Sequence, residues 1–311
     1  MTAAALRNEP AVHRAVPIAP LTTYKLGGPA AFYLEAEDEA TLRRVLRTLP
    51  ADMDVLMLGR GSNLLVADSG FPGLVVQLGA GFATAEIAED GRTHAGGAAA
   101  LGRLARLAAA HGRGGLEFFI GIPGSVGGAV RMNAGGHGRE TKDCLVGARV
   151  LDIDSAEVEE RSPDQLEMSY RSSNLTDRDI VLSATFSTVP RAQDEIEEEL
   201  RAITRWRREH QPGGTFNAGS VFKNPPGDSA GRIIDAAGLK GYRRGPVGVS
   251  DVHANFFVAS DGATSQAIWD LVWDVRRRVG DATGVWLVPE IRFAGTFEPH
   301  EDQSAGPERV T

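Results

Sequence analysis

The chain has 311 residues and a single cysteine, Cys144, which excludes an intramolecular disulfide and any multi-cysteine metal or iron–sulfur site. A lone thiol fits a reducing cytoplasm. The seven histidines are widely spaced and form no His-Glu-x-x-His pattern, so no catalytic metal is expected. Nowhere do 18 apolar residues run together, and no transmembrane helix is expected. Residues 1–20 lack the apolar core of a secretory signal. Positive charge is in deficit, with 33 Lys and Arg against 41 Asp and Glu. The net charge of −8 argues against a general binder of nucleic acid or anionic membrane. Two nucleotide-binding signatures are missing as well. Gly59-Arg60-Gly61-Ser62-Asn63-Leu64 has Leu64 where a dinucleotide fingerprint needs its third glycine, and no Gly-x-x-x-x-Gly-Lys-[Ser/Thr] occurs.

What the chain has in excess is glycine. Of 37 glycines, twenty fall between Gly59 and Gly138. Apolar runs such as Leu64-Leu65-Val66 and Leu74-Val75-Val76 interrupt them, so the region reads as short strands joined by tight turns. Before it, Leu42, Val45, Leu46 and Leu49 mark a surface helix, and Val55–Leu58 a buried strand. Val150, Ile153, Val158 and Ile180-Val181-Leu182 suggest further strands. Asp194–His210 is expected as a helix, with acids early and arginines late as the helix dipole favours. Two more helices are expected around Ala230–Ala237 and Ile268–Val279, the latter capped by Thr264 or Ser265. Asn255–Val258 and Val285–Val288 read as strands. The sum is an α+β protein.

The two glycine loops, 59–64 and 121–128, offer backbone N–H groups with no side chains in the way. Successive N–H groups in turn geometry make anion-binding nests suited to a diphosphate. Either loop alone reads as a tight turn, whereas two in one 80-residue stretch favour a bound nucleotide.

The segments GRGSNLLV (59–66), GIPGSVGG (121–128), MNAG (132–135), YRS (170–172), GSVFKNP (219–225) and PEIR (289–292) stand in this order. With TYKLGG (23–28) and GLKG (238–241), the set resembles the UDP-N-acetylenolpyruvoylglucosamine reductases of bacterial peptidoglycan synthesis. The likeness spans roughly residues 20–295 and departs from the family pattern at Thr22, Pro246-Val247 and Val252. The short interval between Arg171 and Ser220 resembles the subtype lacking a tyrosine-bearing loop over the substrate.

The resemblance implies a two-lobed FAD-binding domain of the PCMH type followed by a smaller α+β substrate domain. On that reading, 1–20 is an N-terminal extension, and 21–80 with about 286–297 forms the first lobe. Residues 81–200 form the second lobe, 201–285 the substrate domain and 298–311 a disordered tail. It further implies non-covalent FAD, NADPH as hydride-donating co-substrate, and a monomer. The flavin-binding candidates are Gly59, Arg60, Gly61, Ser62, Asn63, Leu64, Gly121, Ile122, Pro123, Gly124, Ser125, Gly127, Gly128, Asn133 and Gly135. Tyr170, Arg207, Lys223 and Asn224 are implied substrate contacts.

In the implied reaction, hydride reaches an enolpyruvyl double bond and negative charge builds toward its carboxylate. Arg171 is suited to that charge, because a guanidinium meets a carboxylate with two parallel hydrogen bonds. Glu290 is implied as its acidic partner and Ser220 as the proton donor to carbon. Two other readings stand beside this one. One is a PCMH-type FAD oxidase of a sugar or alcohol, with His94, His137 or Cys144 tethering the flavin. The other is a non-catalytic flavin- or nucleotide-binding paralogue.

Overall fold

A computed structural model describes residues 6–304, and the chain divides into two compact units. The first comprises residues 1–15, 32–60 and 73–207; the second comprises 16–31, 61–72 and 208–311. Of the expected N-terminal extension, Val12–Pro17 forms a strand, while residues 1–5 lie outside the described part.

The first unit carries a four-stranded sheet in the order Val12–Pro17, Pro29–Ala36, Phe71–Leu78, Val55–Met57. Its last two strands run parallel, with Val55 opposite Leu74 and Met57 opposite Val76. Helix α1 (Glu39–Leu46) buries Leu42, Val45 and Leu46, and its first turn is capped by the Asp38 carboxylate, which accepts from Thr41 N–H at 2.7 Å. A second, antiparallel sheet has the order Val158–Arg161, Leu145–Asp152, Asp179–Phe186, Thr93–Gly96, Ala85–Ile87. Helices α2 (Leu101–Ala110) and α3 (Val126–Arg131) contribute to the core under that sheet, with Leu104, Phe119, Val126, Val150 and Phe186 at its centre. Helix α4 (Gln193–His210) follows, burying Ile196 and Ile203.

The glycine-rich region is thus not strands and turns alone. Leu101, Leu104, Ala105, Ala108 and Ala109 are buried along one face of α2, a helical spacing inside a stretch expected to be extended. The second glycine loop ends at Ser125. Gly127 and Gly128 belong to the first turn of α3, where Ser125 is the N-cap.

The second unit is built on helices α5 (Ala230–Ala236) and α6 (Ser265–Thr283), the latter capped by Thr264. They enclose a core with Ile234, Phe222, Val249, Phe257, Leu271 and Trp273. A three-stranded antiparallel sheet orders Arg243–Arg244, Val247–Val249 and Phe257–Ala259. Leu64–Val66 pairs in parallel with Arg292–Ala294, Leu64 opposite Arg292. Tyr24 is fully buried in this core, and its hydroxyl donates to the Phe257 carbonyl at 3.1 Å.

Val285–Val288, expected as a strand, is irregular, and the strand of this region is Arg292–Ala294. Its carbonyls find other partners: Arg276 Nε donates to Leu287 O at 2.9 Å, and Lys223 N–H to Val288 O at 2.8 Å. Pro289 next in line has no N–H to extend a ladder. Residues 298–304, expected to open a disordered tail, are tied to α6. Glu298 N–H donates to Gln266 Oε1 at 2.9 Å, and Arg277 Nε meets Asp302 at 2.8 Å. The rest of that tail, 305–311, lies outside the described residues. Among the described residues no helix is long and apolar enough to cross a membrane.

Candidate active site

Within the first unit, the end of strand Val55–Met57, the turn after Thr93–Gly96 and the start of α3 surround an open cleft. Gly59, Gly97, Gly127 and Gly128 line it, so its wall at these points is bare backbone. The glycines are also required by packing. A Cβ on Gly59 would stand 2.8 Å from Ser125 Oγ, and one on Gly97 2.1 Å from the Val181 carbonyl. Gln77 Nε2 donates to Gly59 O at 3.1 Å and fixes the loop from the neighbouring strand. Arg60 and Arg131 bring positive charge to the lining. The one carboxylate there, Asp179, is engaged by Arg161 at 2.9 Å and by Thr176. The cleft therefore suits an anionic ligand brought close to bare backbone. Two leading N–H groups of α3 are already committed, Val126 to Ala99 O and Gly127 to Gly97 O, both at 2.9 Å. Arg131 is likewise engaged, with Thr176 O and Asp177 Oδ1 at 2.6 Å each.

Of the residues expected at the flavin, this cleft gathers Gly59, Arg60, Ser125, Gly127 and Gly128. Sequence reading missed Gln77, Gly97, Arg131 and Asp179, which come from other strands and one helix end. Gly121 packs elsewhere, where its Cβ would lie 2.9 Å from His137 Nε2. Ile122 flanks the core, Pro123 is exposed, and Gly124 accepts from Leu101 N–H at 3.1 Å. His137 meets the half-exposed Trp206 edge-on at 5.2 Å. Burial, and then the charge of Arg207, hold the His137 imidazole below its ordinary pKa.

Arg171 stands on a tight turn in the same unit. Ser169 and Ser172 exchange backbone hydrogen bonds at 3.0 and 3.1 Å, and Arg171 between them is left-handed at φ +54°. That conformation costs a non-glycine residue about 1–2 kcal/mol. One guanidinium nitrogen donates to Gly135 O at 2.9 Å, and the group lies over the Tyr170 ring at 5.0 Å. A Cβ on Gly135 would come within 3.0 Å of Arg171 Nη1. Asn133 organises this corner. Fully buried at φ +40°, it donates to Glu140 at 3.0 Å and Ser169 O at 2.9 Å, and accepts from Lys142 N–H at 3.0 Å. Its amide is engaged with protein at both ends.

The second unit holds the other candidates. Gly61 is left-handed at φ +60°, and its carbonyl accepts from Thr23 N–H and hydroxyl at 3.0 and 3.2 Å. Asn63 O accepts from Arg292 N–H at 3.1 Å. With these carbonyls drawn inward, the N–H groups of Gly61, Ser62 and Asn63 donate to no acceptor among the described residues, the arrangement an anion nest requires. Asn63 Nδ2 donates to the Glu290 carbonyl at 3.1 Å, joining this loop to the acid. Glu290 N–H donates to Val221 O at 2.7 Å, which places Glu290 beside the segment that begins at Ser220. Leu64 begins the buried parallel strand, and Lys223 pairs through its backbone with Val288. Asn224 Oδ1 accepts from Ala230 N–H at 2.9 Å, at the start of α5.

Two of the three residues on which an oxidase would anchor flavin are already engaged or buried. His94 Nδ1 is bonded to Thr185 Oγ1 at 2.9 Å within the sheet. Cys144 is 2% exposed, and burial pushes its thiol up to about 12.

Comparison with known proteins bears on the same residues. Residues 30–160 match the profile of an FAD binding domain. Residues 211–294 match that of the UDP-N-acetylenolpyruvoylglucosamine reductase C-terminal domain. UDP-N-acetylenolpyruvoylglucosamine reductase from Azorhizobium caulinodans is 43% identical over 280 residues, covering 90% of each chain. The same enzyme from Rhodopseudomonas palustris is 43% identical over 288 residues, again covering 90% of each. The crystal structure of UDP-N-acetylenolpyruvylglucosamine reductase from Thermus caldophilus superposes with a TM-score of 0.79 at 34% identity, covering 91% of this chain and 99% of that one.

Proposed function

The chain belongs to the UDP-N-acetylenolpyruvoylglucosamine reductase family, and from that premise we propose how its own residues carry the reaction. The substrate is the enolpyruvyl ether of UDP-N-acetylglucosamine and the product UDP-N-acetylmuramate, a precursor of peptidoglycan made in the cytoplasm. FAD, when bound, supplies hydride to the terminal carbon of the double bond, having been reduced by NADPH. The cleft lined by Gly59, Ser125 and Gly128 would hold the flavin non-covalently, and the nest of Gly61–Asn63 would receive an anion. Asn133 is a positioning residue that fixes the turn bearing Arg171.

Arg171 and Glu290 meet the negative charge that builds on the substrate carboxylate, the arginine with its planar fork and the acid by hydrogen bonding when protonated. Ser220 gives its hydroxyl proton to the carbon next to the carboxylate and regains one from solvent. A hydroxyl is a weak acid, but an enolate carbon is a strong base, so placement governs the rate. Tyr170, Arg207, Lys223 and Asn224 contact the nucleotide sugar, and the enzyme works as a monomer. The observation that carries this reading is the joining of Ser220 and Glu290 through one peptide, Val221.

Anaerobic mixing tests it. NADPH should bleach the bound flavin, and the enolpyruvyl nucleotide should restore its absorbance. Ser220→Ala should leave the first phase intact and slow the second ~10²–10⁴-fold, the range of a general acid. Equal slowing of both phases would remove Ser220 from the proton-donating role.

A further inference from the structure

Ser220 lies in no regular strand. Gly219 before it is left-handed at φ +76°, so the chain turns directly before the serine. Downstream, hydrogen bonds hold the segment on both edges. Ser220 pairs with Phe256 in an isolated antiparallel bridge, and Val221 N–H donates to the Asn255 carbonyl at 2.8 Å. There the main-chain ladder stops, because residues 253–256 turn back on themselves: Phe256 N–H donates to His253 O at 2.9 Å, and Asn255 N–H to His253 Nδ1 at 3.2 Å. The next rung is made by a side chain. Phe222 N–H donates to Asn255 Oδ1 at 2.9 Å, and Asn255 Nδ2 donates to Phe222 O at 2.8 Å. A carboxamide reproduces both halves of a peptide partner on two separate atoms, which an ionised carboxylate, acceptor only, cannot. Asn255 is 2% exposed, so both groups of Phe222 would be left unpaired and dry without it. On the opposite edge, Val221 O accepts from Glu290 N–H at 2.7 Å and Ile291 N–H at 3.3 Å.

We propose that Asn255 is a positioning residue for proton delivery: its carboxamide, bonded to both backbone groups of Phe222, fixes the Ser220–Phe222 segment against Glu290. This rests on the reading of Ser220 as proton donor. Being buried, Asn255 acts through the backbone it holds. A serine displaced by about an ångström forfeits on the order of 10²-fold in rate while the binding groups stay in place.

The test compares Asn255→Ala, Asn255→Asp and Ser220→Ala in the FAD-loaded protein, following both half-reactions by rapid mixing. In Asn255→Ala, flavin reoxidation by the enolpyruvyl nucleotide should slow ~10–100-fold at unchanged substrate KM, with NADPH reduction within about twofold of the parent. Asn255→Asp supplies the second readout. Its ionised carboxylate cannot donate to Phe222 O, whereas the protonated acid both donates and accepts. Its reoxidation rate should therefore recover as pH falls, relative to the parent and to Asn255→Ala. Reoxidation at parental speed in a folded Asn255→Ala, or equal slowing of both half-reactions, would overturn the inference, as would an Asn255→Asp profile parallel to the parent's. If Asn255→Ala does not fold, the Asn255→Asp profile decides. Normal reoxidation in Ser220→Ala would instead overturn the reading of Ser220 itself.

Discussion

Arg171 carries backbone strain, for at φ +54° it holds a conformation that glycine adopts freely. A lysine keeps the charge but loses the fork that bonds Gly135 O while presenting further N–H groups. Arg171→Lys should lower kcat/KM by on the order of 10²-fold or more with little change in Tm; steady-state kinetics beside a thermal melt check both. His253 gives a pH effect of definite sign. Burial foremost, with the charges of Lys240 and His210 in support, holds it below the usual histidine value. The unfolded chain then binds the proton first, near pH 6.5, so His253 contributes stability that is complete above that pH and lost as pH falls below it. Denaturant melts of the parent and His253→Gln between pH 5 and 8 should show the parent's acid loss reduced in the variant. Arg171, Ser220 and Glu290 were singled out in the sequence only through the whole motifs around them. Asn255 was visible only as the first residue of an expected strand, since the rung it completes exists only once 220–222 and 253–256 are folded together.

At the scale of elements, legibility followed periodicity and failed where neighbours overrode it. α1, α4, α5 and α6 announced themselves by apolar spacing and caps. α2 carried the same spacing, yet the glycines on either side suggested turns. Val285–Val288 has the composition of a strand but is held by side chains. Arg276 donates to Leu287 O, and its guanidinium lies over the Trp286 ring at 5.2 Å. That ring rests on Gly280 of α6, where a Cβ would come within 2.8 Å of three indole atoms. Gly280→Val should cost about 1–3 kcal/mol by overpacking and raise Trp286 fluorescence exposure to quenchers. Leu104→Ala, fully buried in α2, should cost about 2–5 kcal/mol in a urea melt. The cleft was half legible for a related reason. Its loop glycines sit in recognisable motifs, whereas Gln77 and Gly97 reach it through sheet order, which no single segment encodes.

The molecule as a whole is two units with interleaved sequence. The second draws residues 16–31 and 61–72 from the front of the chain, and its core contains Tyr24 and Leu65. A fragment of residues 208–304 alone lacks both, together with the strand that pairs with Arg292–Ala294. It should show no cooperative unfolding transition by circular dichroism, and adding a peptide of residues 16–31 should not by itself restore one. The parallel pairing of Leu64 with Arg292 also orders events in time. During synthesis on the ribosome, Leu64–Val66 emerges more than two hundred residues before its partner. Residues 73–207 of the first unit are complete in the interval. A nascent chain stalled shortly before residue 292 would therefore present an apolar strand with no mate, and this is the stage of biogenesis at which a chaperone would find most to hold.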